Sequence, residues 1–145
     1  SLLFTLLDNW RAPAPDPQRV SWLSEWDYAH RGLHGDGAPE NSPAAFAEAM
    51  GRGLGIECDV QRTRDSKAVV FHDWELDRLT DETGAVDRRD AADIEKIVLS
   101  GSNDAIPQLG RMLDQVGGKV PILIELKSAF DRRIGPLCLA VKRAL

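Results

Sequence analysis

The sequence predicts an α/β domain, a parallel sheet with helices packed outside it. Three observations carry this expectation. Short apolar runs alternate with segments of helical periodicity. The runs are nearly continuous in apolar character, as strands buried on both faces are. Titratable residues gather toward the ends of the runs: His30, Glu57, Asp59, His72, Glu125 and Lys127. In β/α folds, sites are built at the C-terminal ends of the strands.

Composition sets the outer bounds. A chain of 145 residues is long enough for one domain with a core, and 43% hydrophobic with 28% charged residues is an ordinary globular balance. The net charge of −5 argues against a general nucleic-acid or anionic-membrane surface. Two cysteines, Cys58 and Cys138, make neither a disulfide framework nor a metal motif, and Cys58 reads as a small buried residue. The apolar start, Leu2 to Leu7, is too short to span a bilayer. It reads either as the end of a longer signal or anchor, or as a short helix packed on the domain. Pro136 to Leu145 reads as a helix that stops without a cap signal, so both ends suggest part of a longer chain.

In chain order, residues 1–25 are expected to be peripheral and residues 26–145 to form the main unit. Pro13, Pro15 and Pro17 favour an extended segment, and Trp10, Trp22 and Trp26 are expected to cover the bottom of a core, with an interfacial role as the weaker alternative. Asp27 to Gly32 reads as a short strand entering a glycine-rich loop. Ser42 then serves as N-cap and Pro43 as the first helical residue, with Phe46, Ala49 and Met50 as the apolar stripe and Gly51 and Gly53 as the stop.

Ile56 to Val60 is the central strand. Residues two apart on a strand share a face, so Glu57 and Asp59 point one way, with Cβ atoms roughly 7 Å apart. Ile56, Cys58 and Val60 point the other way. Residues 67–73 predict a second strand with Val70 and His72 on one face, and Asp77 and Arg78 read as a structural ion pair in the loop that follows. Residues 90–99 fit a short helix with Ile94, Ile97 and Val98 on one side. Pro107 opens another, with Leu109, Met112, Leu113 and Val116 inward and Gly117 and Gly118 as the stop. Residues 120–127 predict a buried strand on which Glu125 and Lys127 share a face, and a final helix runs from about residue 132.

Two carboxylates side by side on a buried strand repel each other and resist desolvation. A divalent cation between them would relieve both effects; acids at a solvated strand end, or paired with arginine, would also do. Glu57, Asp59 and Glu125 together put three negative charges in one small mouth, offset in part by Lys127. Oxygen ligands alone favour a hard cation, Mg2+ or Ca2+, over zinc. His30 and His72 come from different strands and suit a general base and a general acid. Arg31 and Lys127 add positive charge that fits a phosphate.

The motifs also carry a resemblance. His30-Arg31-Gly32, Pro39-Glu40-Asn41-Ser42, Glu57-Cys58-Asp59-Val60, His72-Asp73, Leu76-Asp77-Arg78-Leu79-Thr80, Gly84-Ala85-Val86, Ile106-Pro107-Gln108-Leu109 and Ile124-Glu125-Leu126-Lys127 stand in the order of the glycerophosphodiester phosphodiesterase family. The resemblance runs from about residue 29 to 128. It implies a (β/α)8 TIM-barrel hydrolase, of which four strands, about the first half of the barrel, are counted here. It implies divalent-metal-dependent cleavage of glycerophosphodiesters to glycerol 3-phosphate and an alcohol, with the glycerol 2-hydroxyl as internal nucleophile and a cyclic phosphate that is then opened. By similarity, His30 and His72 are the acid–base pair, and Glu57, Asp59 and Glu125 are the metal ligands. Arg31, Glu40, Asn41 and Lys127 line the phosphate site, with Glu40 supporting a ligand or His30. The partner is a small-molecule phosphodiester; no nucleic acid and no membrane are expected, and the open barrel edges offer self-association. A related barrel phospholipase (sphingomyelinase D-like or phosphatidylinositol phospholipase C-like) and a non-catalytic half-barrel that binds metal or phosphate remain as alternatives.

Overall fold

The computed structural model describes residues 14–128 and 134–145. The apolar start, Trp10, Pro13 and the expected beginning of the last helix near residue 132 lie outside the described residues. The sheet is built around β2 (Gly55–Arg62), with β1 (Tyr28–His30) parallel to it and β4 (Ile122–Leu126) also parallel to it. β3 (Ala68–Val70) pairs with the far end of β2 in the antiparallel sense, Val70 opposite Val60. This corrects the expectation of four parallel strands. A parallel return needs a crossover of a dozen or more residues, and the connection here is only residues 63–67. Thr63 closes that turn, its N–H donating to the Lys67 carbonyl at 3.0 Å. The strand is also shorter than expected, so His72 lies beyond its end, in a loop.

Register is what brings the acids together. His30 stands opposite Glu57 and Asp59 opposite Glu125, which aligns the C-terminal ends of three parallel strands. The other face of β2 is apolar: Ile56, Cys58 and Val60 are fully buried in a core shared with three helices. α2 (Pro43–Gly51) starts as its sequence dictates, with the Ser42 hydroxyl accepting from the Ala45 N–H at 3.1 Å and Pro43 in the first turn. Phe46 and Ala49 sit on its buried stripe. α4 (Leu109–Val116) buries Leu109, Met112 and Val116 and ends at Gly117, whose φ of 55° is left-handed. α5 (Ile134–Ala144) buries Leu137, Ala140 and Val141.

A second core lies under the loop between β3 and α4. Val69, Phe71, Leu76, Val86, Ile94, Ile97, Leu99 and Ile106 close on one another there. The expected helix over 90–99 is only α3, Ala91–Ile94. The chain then extends, bridging Val98 to Ala105 and Thr80 to Leu99. Extended backbone alternates its side chains, so Ile97 and Leu99 turn inward while Val98 is 50% exposed. β4 is only partly buried, not the fully buried strand expected, because β2 is its one partner among the described residues. Near the start, Asp16 caps α1 (Pro17–Val20) by accepting from the Gln18 N–H, so the chain coils from Pro17 onward rather than staying extended. Neither α1 nor the 3-10 turn Ser21–Glu25 buries a residue. Trp26 packs on the main core, while Trp22 is 44% exposed and covers little.

Candidate active site

Asp59 is the hub of the site. It is 1% exposed and fully surrounded. The Asn41 side-chain amide donates to Oδ2 at 3.0 Å, and the Asp59 N–H donates back to Asn41 Oδ1 at 3.2 Å. Lys127 Nζ lies 3.1 Å from Oδ1. Arg31 Nε lies 3.2 Å from Oδ2, close enough for ion pairing but too poorly directed for a hydrogen bond, and it has no other partner. A buried carboxylate needs such company, because an unpaired charge resists desolvation.

Glu57 and Glu125 flank it. One carboxylate oxygen from each of Glu57, Asp59 and Glu125 lies within 4.8 Å of the other two. Glu57 Oε2 accepts the Arg31 backbone N–H at 3.0 Å and lies 3.9 Å from His30 Nε2. Glu125 Oε1 accepts from Lys127 at 2.9 Å. Burial pushes the Lys127 ammonium down, but its bonds to Glu125 and Asp59 outweigh this and hold it above the ordinary lysine value. Three carboxylates against Arg31 and Lys127 leave one net negative charge in this cluster. An all-oxygen set at this spacing suits a hard divalent cation, and the residues present therefore fit a metal.

Two residues reach the site through left-handed backbone. Arg31 has φ 57° and Asn41 φ 58°, and the Asn41 N–H donates to the Arg31 carbonyl at 2.8 Å. Such conformations cost non-glycine residues about 1 kcal/mol or more. Here they turn one N–H toward Glu57 and one amide toward Asp59. Gly32 follows at φ 77° and presses on α2, where an added Cβ would stand 2.8 Å from that of Ala45.

A second group adjoins this one. His72 Nδ1 is 2.7 Å from Asp73 Oδ1. Arg78 grips both oxygens of Asp73, Nε to Oδ2 at 2.6 Å and Nη2 to Oδ1 at 2.8 Å. The same guanidinium donates to both oxygens of Glu40, at 3.1 and 2.8 Å, and Glu40 also accepts from Arg31 Nη1 at 2.9 Å. Arg78 foremost, then His72, holds the Asp73 carboxyl far below the carboxylate range against the opposing effect of burial. Burial raises Glu40, but Arg78 and Arg31 together bring it below its ordinary value. The Gln61 side chain, buried on β2, donates to the carbonyls of Phe71 (2.8 Å) and Asp73 (2.7 Å), pinning the backbone on both sides of His72.

All nine residues singled out in the sequence thus lie in one connected region, with His30 the most exposed, its side chain 69% accessible. Glu40 supports Arg31 and not His30. The expected Asp77–Arg78 pair is not formed: Asp77 accepts the Gly84 N–H, and Arg78 turns to Asp73 and Glu40. Adjacent residues in a loop rarely face each other, and Arg78 finds two acids with unfilled acceptors instead. Arg78, Asp73 and Gln61 are the members that sequence reasoning missed. The His72-Asp73 dipeptide was the available signal.

Comparisons with known proteins bear on the fold and the family. The chain is 39% identical over 121 residues to a probable glycerophosphodiester phosphodiesterase 2 of Mycobacterium tuberculosis, covering 81% of this chain and 46% of that protein. It is 38% identical over 106 residues to a glycerophosphodiester phosphodiesterase of Bacillus subtilis, covering 72% and 36%. The chain therefore spans half or less of the length of these curated relatives. Among solved structures, an Oleispira antarctica phosphodiesterase, determined in complex with the product sn-glycerol-3-phosphate, superposes with a TM-score of 0.76 at 26% identity, covering 85% of this chain and 53% of that one. A glycerophosphodiester phosphodiesterase from Agrobacterium tumefaciens gives 0.68 at 29%, covering 82% and 53%. The fold is that of the first part of a β/α barrel. A family model that matches residues 30–144, the stretch bearing every side chain of the site, shows that the chain belongs to the glycerophosphoryl diester phosphodiesterase family.

Proposed function

We propose that this chain carries the metal-binding and acid–base machinery of an enzyme that hydrolyses glycerophosphodiesters to glycerol 3-phosphate and an alcohol. The observation that carries the reading is the convergence of three carboxylates at the ends of adjacent parallel strands, with His30 beside Glu57 and His72 in the adjoining loop group. Family membership and the product named for the Oleispira relative support it.

Glu57, Asp59 and Glu125 would hold a divalent ion, Mg2+ or Ca2+, which supplies charge neutralisation of phosphoryl oxygens. Arg31 and Lys127 add fixed positive charge for the same anion. One of His30 and His72 takes the proton of the attacking glycerol 2-hydroxyl as the new O–P bond forms. The other gives a proton to the departing alkoxide as the old P–O bond breaks, and water then opens the cyclic phosphate with the roles reversed. An internal hydroxyl needs no protein nucleophile and gains from its proximity to phosphorus. Residues 26–145 form the catalytic part in this reading, and residues 14–25 stand outside its core. No helix among the described residues is long and apolar enough to cross a membrane.

The test is hydrolysis of glycerophosphocholine coupled to glycerol 3-phosphate detection, with Mg2+, with Ca2+ and with chelator. Turnover that needs metal and falls about 100- to 10,000-fold in His30→Ala and in His72→Ala is expected. Metal-independent turnover, or full activity in either variant, would overturn the assignment.

A further inference from the structure

His72 is held by more apparatus than a loop histidine needs. Its neighbour Asp73 offers two carboxylate oxygens, and Arg78 takes both. The same guanidinium takes both oxygens of Glu40, contributed from 38 residues earlier in the chain. Gln61 fixes the carbonyls before and after His72. An ordinary surface ion pair has one partner and contributes little. Four carboxylate oxygens on one planar fork define an orientation instead. We propose that Arg78, acting through Asp73, is a positioning residue that holds the His72 ring in one orientation and in the tautomer with its proton on Nδ1.

The chemistry follows from the acceptors. With both oxygens engaged by a guanidinium, Asp73 stays ionised and can only accept. The hydrogen shared across the 2.7 Å contact therefore belongs to Nδ1. Neutral His72 then presents an unprotonated Nε2 on the side away from Asp73, the atom able to take or return a proton. Arg78 itself is 49% exposed in its side chain and touches none of Glu57, Asp59 and Glu125; in the second close group, Glu40, His72 and Asp73, its guanidinium already occupies both carboxylates, so its role lies in aim rather than in the core or the three-carboxylate site. Without it, Asp73 can rotate off the ring, and a misaimed base costs rate without weakening substrate binding.

The inference rests on the reading of His72 as an acid–base group, and two measurements keep the two claims apart. The first is the 15N spectrum of the imidazoles, simple in a chain with three histidines. At a pH where His72 is neutral, the wild-type protein should show Nδ1 protonated and Nε2 unprotonated. Arg78→Ala and Asp73→Asn should show a mixture of tautomers or the opposite one. The second is glycerophosphocholine turnover. Arg78→Ala and Asp73→Asn should each lower kcat about 10- to 100-fold with KM changed less than threefold. Arg78→Lys should restore only part of the loss, since an ammonium cannot grip two carboxylates through paired bonds. An unchanged tautomer in Arg78→Ala, or wild-type kcat in that variant, would overturn the proposal. A shifted tautomer together with full activity in His72→Ala would retain the positioning role and discard His72 as the acid–base group.

Discussion

Asp59 illustrates how much a single residue can settle. It is buried, it is charged, and it meets Arg31, Lys127 and Asn41 at once. Removing it takes a buried carboxylate from both cations, leaving Arg31 with Glu40 and Lys127 with Glu125, and strips the Asn41 amide of its acceptor, so Asp59→Ala is expected to cost about 3 kcal/mol in urea denaturation. Asp59→Asn keeps the shape and the Asn41 contact and should cost less. The sequence reveals Asp59 and Glu57 because spacing two on an apolar strand admits one interpretation of facing. It does not reveal Arg78, whose two partners are fixed by folding and not by neighbourhood. The acids around Arg78 also set a pH dependence. Asp73 and Glu40 both sit below their ordinary values. Their contribution to stability is therefore complete above the unfolded carboxylate range and is lost as pH falls from about 5 through the depressed folded values. Arg78→Ala should flatten that acid limb in thermal unfolding scans between pH 2 and 6, leaving stability at pH 7 and above less pH-dependent in both proteins.

At the scale of elements, the helix α2 and the strands β1, β2 and β4 are legible because caps and alternation are local. Ser42, Pro43 and Gly117 do what their chemistry dictates. Strand direction is not in an apolar run, and β3 turned back because residues 63–67 leave no room for a crossover. The helix expected over 90–99 shortened because Leu99 and Ile106 serve the second core from extended backbone. Two contacts between elements hold the site and are open to test. Gly32→Ala places a Cβ against Ala45 at a left-handed φ, and should lower stability by about 1–3 kcal/mol and lower turnover by displacing Arg31. Gln61→Leu leaves the Phe71 and Asp73 carbonyls without their donor and should cost about 1–3 kcal/mol by the same denaturation measurement.

On the scale of the whole molecule, the site among the described residues is carried by three parallel strands, one hairpin and the loops that leave them. Every side chain proposed for metal, phosphate or proton transfer comes from residues 30–127, although the chain spans half or less of its curated relatives. The barrel class was legible from strand–helix alternation and motif order, whereas burial of β4 was not, because a strand's apolar content does not say how many neighbours it has. The central claim is that Glu57, Asp59 and Glu125 form one hard-cation site. Titration with Mn2+ followed by electron paramagnetic resonance tests it most directly, independently of any substrate. One ion per chain, competed by Mg2+ or Ca2+ and lost when Glu57→Gln and Glu125→Gln are combined, is the expected result. No binding by the folded protein, or binding unchanged in the double variant, would contradict it.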